Sequence, residues 1–346
     1  MIGIVGGGLA AAKLVESYRE AGGQDELVLW SQDPHGPYHR PPLSKRLLRG
    51  EVGPDTPLIP LEGEDVRLGE RIESLDQVEA DTIVIATGAR PRPLGDALQL
   101  RTIDDSLELR RRAESARTAT VVGGGFIGCE VTASLTQLGL EVTQVVREPR
   151  LFAAIGCPPL SEALAETYRA HGVDLRLEGS DIPDAGMVVA GIGVVPNVEL
   201  AVAAGLEVRS GIVVDDRFRT SRDGIYAIGD VAEFYDPIYR RHRRIEHWSN
   251  AAYHGTTLGK ILAGDTDARY DIVSAFFSEE FGKMFRAYGD GAGHDDTSLD
   301  GDFHEERALY RFLKDGATIA AVATGLDPDE EDTLKDEIRA GAAAHA

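Results

Sequence analysis

Short unbroken apolar runs recur along the chain, and several close on glycine. Residues 2–12 read IGIVGGGLAAA: an apolar strand, a glycine turn, then apolar positions that continue in a helical pattern. ELVLWSQD, residues 26–33, follows as a second strand. The same order returns at residues 118–146 in TATVVGGGFIGCEVTASLTQLGLEVTQVV. DTIVIATGARP (81–91) predicts another buried strand, and GIYAIGDVAEF (224–234) a strand followed by the start of a helix. Towards the C-terminus, ALYRFLKDGATIAAVAT (308–324) alternates as a hairpin turning at Asp315-Gly316, and PDEEDTLKDEIRAG (328–341) reads as an amphipathic helix. GDGAGHDDTSLDGDFHEE (289–306), polar, acidic and Gly-rich, reads as a flexible loop. PYHRPPLSK (37–45) fits no regular element. Its prolines fix the backbone and remove amide donors, so it predicts a stiff loop carrying Arg40 and Lys45.

The glycine turns carry the first chemistry. In Gly6-x-Gly8-x-x-Ala11 the first glycine permits a tight turn and the second lets the backbone approach a pyrophosphate. The small third residue lets helix and strand pack closely. The helix start offers free N–H groups and a positive dipole end to phosphates. An acid near the end of the second strand suits a ribose hydroxyl; Asp33 is the candidate, with Gln32 as the other. Gly123-x-Gly125-x-x-Gly128 repeats the motif. Two such units suggest two dinucleotides held so that they can meet. Thr87-Gly88 and Gly229-Asp230 lie at the ends of two further strands, and Asp230 suits a ribityl hydroxyl, with a following helix start facing a phosphate.

Composition narrows the classes. With 346 residues the chain is long enough for two or three domains, and its net charge of −22 argues against a general nucleic-acid or membrane-surface binder. Cys129 and Cys157 stand far apart with no CxxC, which excludes a cysteine-rich metal site, a disulfide scaffold and a disulfide reductase of the thioredoxin or glutathione type. No metal site is expected, and Cys129 reads as a packing residue. The first strand starts almost at Met1, so no signal peptide fits, and no apolar run reaches the roughly 18 residues of a membrane span. A cytoplasmic protein is expected.

Taken together, VGGGLAA, PHGPYHRPPLSK, ATGARPRPL, VVGGGFIGCE, GIGVVPNVELAVAAGL, GIVVDDRFRTS, IYAIGDVA, IEHWSNA and FFSEEF resemble the FAD-dependent ferredoxin reductases of oxygenase systems. That family includes putidaredoxin and rubredoxin reductases and resembles apoptosis-inducing factor. The resemblance implies an α/β fold: two Rossmann-like dinucleotide-binding domains, glutathione-reductase-like, plus a small C-terminal α+β domain. The expected FAD domain is discontinuous, 1–104 and 212–264; the NAD(P)H domain is 105–211 and the C-terminal domain 265–346. For FAD the resemblance implies Gly6, Gly8, Leu9, Ala10, Ala11, Asp33, Arg40, Lys45, Ala86, Thr87, Gly88, Gly229, Asp230, Glu246, His247 and Trp248. For NADH or NADPH it implies Gly123, Gly125, Phe126, Ile127, Gly128, Glu130, Val146, Arg147, Gly191, Ile192 and Gly193. Lys45, Glu130 and Trp248 are the implied catalytic residues. A cation on a stiff loop is preorganised for the negative charge that a reduced flavin gains, which gives the PYHRPPLSK loop a purpose.

The implied reaction is hydride transfer from NAD(P)H to FAD, then single electrons to an iron–sulfur ferredoxin. The protein is expected as a monomer or homodimer. YRRHRRIEHW, the most basic stretch, offers Arg240, Arg241, Arg243 and Arg244 as a docking patch for an acidic partner. Some features depart from the family. Val146 stands where NADH-preferring members carry Glu, with Arg147 and Glu148 after it, which leans towards NADPH or dual use. Phe277 stands where Trp is commoner, and both dinucleotide domains are shortened, leaving loops over the flavin more open. That openness keeps a small acceptor (quinone, dioxygen or monodehydroascorbate) as an alternative, beside a redox-sensing binding protein like apoptosis-inducing factor.

Overall fold

The computed structural model describes residues 1–345. Two parallel sheets are built the same way. In the first, strands run in the order Ile225–Ala227, Thr82–Ile85, Ile2–Val5, Leu27–Ser31, Asp65–Leu68. Every neighbouring pair is parallel, with Ile2–Val5 set against Leu27–Trp30 on one side and Thr82–Ile85 on the other. The second has the order Asp174–Arg176, Glu141–Val145, Thr118–Val122, Met187–Ala190, again all parallel. In each, the central strand runs into a glycine turn and then a helix, Leu9–Glu20 in one and Phe126–Gln137 in the other. The expected mixed α/β fold with two Rossmann-like units is borne out. Strands Ala89–Pro91 and Val194–Pro196, one leaving each sheet, pair antiparallel and tie the two units together.

Helix Trp248–Leu262 lies along helix Leu9–Glu20 at very close range: a Cβ at Gly255 would stand 2.2 Å from the Ala10 carbonyl oxygen. Only glycine allows that approach, and it fixes where Trp248 enters the site. The C-terminal sheet is antiparallel, in the order Ala275–Glu280, Lys283–Gly289, Ala317–Thr324, Ala308–Lys314, Asp296–Gly301. One face packs Phe285, Tyr310 and Phe312 against Phe152 and Leu160 of the second unit. The other face carries Tyr288 and Leu309 against Leu334 and Ile338 of helix Pro328–His345. The hairpin turn at Asp315-Gly316 has φ of +47° and +79°, the left-handed pair that a tight two-residue turn needs.

Two expectations are corrected. The acidic Gly-rich segment 289–306 is not a loop throughout, because Asp296–Gly301 is an edge strand paired in register with Ala308–Lys314. An edge strand with both faces largely in water needs backbone pairing, not apolar alternation, and its acids discourage further pairing. No helix follows Asp230 directly: Gly229–Val231 makes one 3₁₀ turn, and Ala232–Asp236 continues as a strand between Ile212–Val214 and Arg241–Arg243. Buried Val231, Ala232 and Phe234 hold that strand in the core.

Candidate active site

Both glycine turns open onto one cleft of about 1560 Å³, larger than the roughly 300–1000 Å³ of an ordinary small-molecule pocket. Gly6 has φ +118°, and a Cβ there would stand 2.2 Å from the Ala86 carbonyl oxygen. Gly123 has φ +122°, with the Gly191 carbonyl oxygen at the same distance. Each turn is therefore pressed against the end of a neighbouring strand: Ala86-Thr87-Gly88 in one unit, Gly191-Ile192-Gly193 in the other. At Gly8 and Gly125 an added Cβ meets nothing within 4 Å. These two residues cap their helices without any side-chain hydrogen bond, so the first-turn N–H groups remain available to an anion.

Cations gather beside the first turn. Arg40 and Arg101 line the cleft, and Arg101 Nη2 pairs with Asp230 Oδ2 at 2.7 Å. The Nε of each arginine is buried without a partner. Burial, and then the Arg101 charge, pull the Arg40 guanidinium below its ordinary pKa. Two like charges with unspent donors in one cleft fit an anionic ligand that supplies acceptors to both.

Where the two units meet, Lys45 Nζ lies 2.5 Å from Glu130 Oε1. Glu130 also accepts from the Ser44 hydroxyl on Oε2 and from Ser278 on Oε1 at 2.8 Å. Lys45 comes from the stiff loop of the first unit, Glu130 from the helix after the second glycine turn, and Ser278 from the C-terminal sheet. Next to them His247 stacks on Phe276, with ring centroids 4.1 Å apart, and meets the edge of Phe126. Burial pushes His247 down to about 4, so its imidazole is neutral at physiological pH. Trp248 Nε1 donates to His39 Nδ1 at 3.0 Å. Trp248 and Phe277 line the cleft yet remain 39% and 36% exposed, so they connect it to the surface.

Residues 2–255 match the family described as pyridine nucleotide-disulphide oxidoreductase. Putidaredoxin reductase from Pseudomonas putida is 30% identical over 379 aligned positions, covering 94% of this chain and 89% of that protein. The ferredoxin–NAD(+) reductase component of an anthranilate 1,2-dioxygenase system from Burkholderia cepacia is 31% identical, covering 94% and 91%. Among solved structures, the covalent putidaredoxin reductase–putidaredoxin complex superposes with a TM-score of 0.91 at 28% identity, covering 98% of this chain and 93% of that one. The chain belongs to this family, within its ferredoxin-reductase group.

The reductase is an FAD-dependent pyridine-nucleotide oxidoreductase, and its residues fit those groups: uncapped helix starts, open space before Gly8 and Gly125, and two arginines with orphaned Nε atoms. The cleft is lined by Gly6, Gly8, Leu9, Ala10, Asp33, Arg40, Lys45, Ala86, Thr87, Gly88, Gly229, Asp230, Glu246, His247 and Trp248, the residues expected for FAD. Gly123, Gly125, Phe126, Ile127, Glu130, Arg147, Gly191, Ile192 and Gly193, expected for the nicotinamide nucleotide, line it beside the second glycine turn. Three expected residues lie behind this lining. Ala11 is wholly buried, and Gly128 packs on Gly123, as small third residues of such turns should. Val146 is wholly buried beneath Gly124 and cannot reach a ribose, so the residues that line this end are Arg147, Glu148 and Arg150. Asp33 accepts from the Tyr38 hydroxyl at 2.7 Å and from the His35 N–H at 3.0 Å, so its carboxylate already organises its own loop.

The basic stretch is corrected as a docking patch. Arg243 is largely buried and pairs with Asp236 at 2.6 Å and Asp290 at 3.0 Å. Arg241 also pairs with Asp290, and Arg244 with Glu246. Through Asp290, Arg241 and Arg243 join the first unit to the C-terminal sheet, while Arg244 pairs within the first unit. Sequence reasoning missed Arg101, Ser44, Ser278 and Glu280. A signal for Arg101 exists: Thr102 and Asp105 form a capping box, which marks Arg101 as the residue before a helix start.

Proposed function

We propose that the reductase accepts hydride from NADH or NADPH into FAD and delivers single electrons to an iron–sulfur ferredoxin serving an oxygenase. The observation that carries this reading is the single cleft onto which two matching glycine turns open, with Lys45 and Glu130 meeting where the units join. FAD, when bound, accepts an electron pair and releases it singly. The chain binds the phosphates through its helix starts and arginines, and holds a fixed ion pair at the junction. The Phe126–His247–Phe276 stack supplies an apolar wall that excludes water. Relatives named for a ferredoxin or a putidaredoxin complex support the partner class. Exposed Trp248 and Phe277 are the proposed outlet, and aromatic side chains are enriched where protein partners dock.

Anaerobic titration of the purified protein tests the reading. A yellow protein that bleaches within seconds on adding NADH, and then reduces a ferredoxin, supports it. A colourless protein that cannot be reconstituted with FAD overturns it.

Both nucleotides are proposed as donors. Arg147 is 88% exposed on its side chain at the end of strand Glu141–Val145, and its contact with Glu148 is loose at 3.9 Å. A 2′-phosphate would find Arg147 there, and a ribose diol would find Glu148. Arg147→Glu is expected to lower kcat/KM for NADPH about tenfold while changing that for NADH less than about threefold. Equal effects on both donors would remove Arg147 from the specificity role.

A further inference from the structure

Glu280 has no role in the reading above, yet it is wholly buried against the ion pair at the heart of the site. Strand Ala275–Glu280 alternates: Phe277 and Glu279 face outward, Ser278 and Glu280 inward. The Ser278 hydroxyl lies within hydrogen-bond distance of Glu130 Oε1 and of Glu280 Oε1, and Glu280 Oε2 has no partner. A serine hydroxyl has one proton. It can donate to only one of two carboxylates, so the other contact requires a carboxyl that donates to the serine oxygen. Glu130 is paired with Lys45 and takes a second donor from Ser44, so it is the ionised partner. Glu280 therefore carries the proton.

We propose that Glu280 is a neutral, proton-bearing positioning residue that keeps the Lys45–Glu130 pair charge-balanced, and that its ionisation at alkaline pH slows hydride acceptance by placing a second negative charge beside Glu130. The proposal rests on the hydride-transfer reading of the cleft. The surroundings agree with it. Helix Phe126–Gln137 contributes Glu130 and Cys129, and helix Pro158–Ala170 contributes Tyr168, with His171 just beyond it stacked on Phe281. The strand itself contributes exposed Glu279, and Lys283 stands opposite in register but faces solvent. Lys45 is the cation that favours ionisation, and Glu130 already claims it. Burial first, and the Glu130 charge second, push the Glu280 carboxyl up to about 8. On ionisation its proton passes through Ser278 and Glu130 to solvent in a side cavity of about 410 Å³, which Lys45, Glu130 and Glu279 border.

Glu280→Gln keeps the shape and stays neutral at every pH. In the wild type the rate of reduction by NADH is expected to fall about tenfold between pH 7 and pH 9, and in Glu280→Gln less than about twofold. Folding stability gives a readout independent of hydride transfer. The Glu280 carboxyl has a folded pKa of about 8 against an ordinary 4.5. The folded state therefore binds the extra proton between those values, and stability falls as pH rises through that window. The wild type should lose stability relative to Glu280→Gln from about pH 4.5 to 8 and track it above. Glu280→Met, neutral and unbranched, repeats both measurements should the glutamine variant fold poorly. Parallel stability curves would overturn the buried proton. A removed stability slope with an unchanged alkaline rate profile would overturn the coupling. A wild type that NADH does not reduce would overturn the underlying reading together with the proposal.

Discussion

Gly123→Ala is expected to leave the reductase yellow and reducible by dithionite, while reduction by NADH or NADPH falls at least about a hundredfold. Two penalties act at one atom. The backbone at Gly123 has φ +122°, where an L side chain is strained, and the new Cβ would lie 2.2 Å from the Gly191 carbonyl oxygen and 2.7 Å from its carbon. Either the turn or the Gly191-Ile192-Gly193 loop must move, and both line the part of the cleft proposed for the nicotinamide nucleotide. Displacement of groups that position a reactant by about 1 Å costs about a hundredfold. The turn at Gly6, proposed for FAD, belongs to a separate sheet, so flavin should be retained. Stopped-flow absorbance, with flavin content measured on the same sample, checks both halves. Gly125→Ala is the control for folding: its methyl meets no protein atom within 4 Å. It should keep the wild-type Tm and still raise KM for the nucleotide. Wild-type reduction of Gly123→Ala would show that the second turn does not hold the donor.

Local signals explain what the sequence reveals. A glycine turn between an apolar strand and a helix is complete within about a dozen residues, so both Rossmann-like units can be read from IGIVGGGLAAA and TATVVGGGFIG. Strand Asp296–Gly301 is invisible for the opposite reason. Its faces are mostly solvated, and only the register with Ala308–Lys314 makes it a strand. Val146 and Arg243 misled because residue type was read without depth. A one-residue step past Val145 turns Val146 under Gly124, and a row of ten residues with four arginines looks cationic until Asp236 and Asp290 are found against Arg241 and Arg243, and Glu246 against Arg244. Asp290 is 49 residues from Arg241, and Ser278 is 148 from Glu130. The pair FFSEE shows the same limit. Strand alternation says that one glutamate points inward and one outward, but only the packing of that sheet on helix Phe126–Gln137 decides that Glu280 is the buried one.

Lys45→Met should lower the rate of flavin reduction by about a hundredfold to a thousandfold, the usual loss when one preorganised electrostatic partner is removed. Methionine keeps the lysine's unbranched stem and lacks only its terminal ammonium, so the stiff loop and its contacts with the cleft wall are preserved. What disappears is the ammonium 2.5 Å from Glu130. Lys45 and Glu130 are mostly buried, with 13% and 8% of their side chains exposed. In such a site a lost cation is not replaced by water as it would be on the surface. Hydride acceptance adds negative charge to the cleft, and the variant meets that charge with an unbalanced carboxylate in place of a neutral pair. Glu130→Gln in the Lys45→Met background separates the two contributions. Removal of the stranded carboxylate should recover part of the lost rate, since the second substitution relieves the repulsion created by the first. Flavin content should stay near one per chain, because the turn at Gly6 and Arg101, proposed to hold the FAD phosphates, are untouched. A reduction rate within threefold of wild type would show that the Lys45 charge does not act on the reacting end of the cleft. A double variant slower than Lys45→Met would show instead that Glu130 contacts the nucleotide directly, independent of its ion pair.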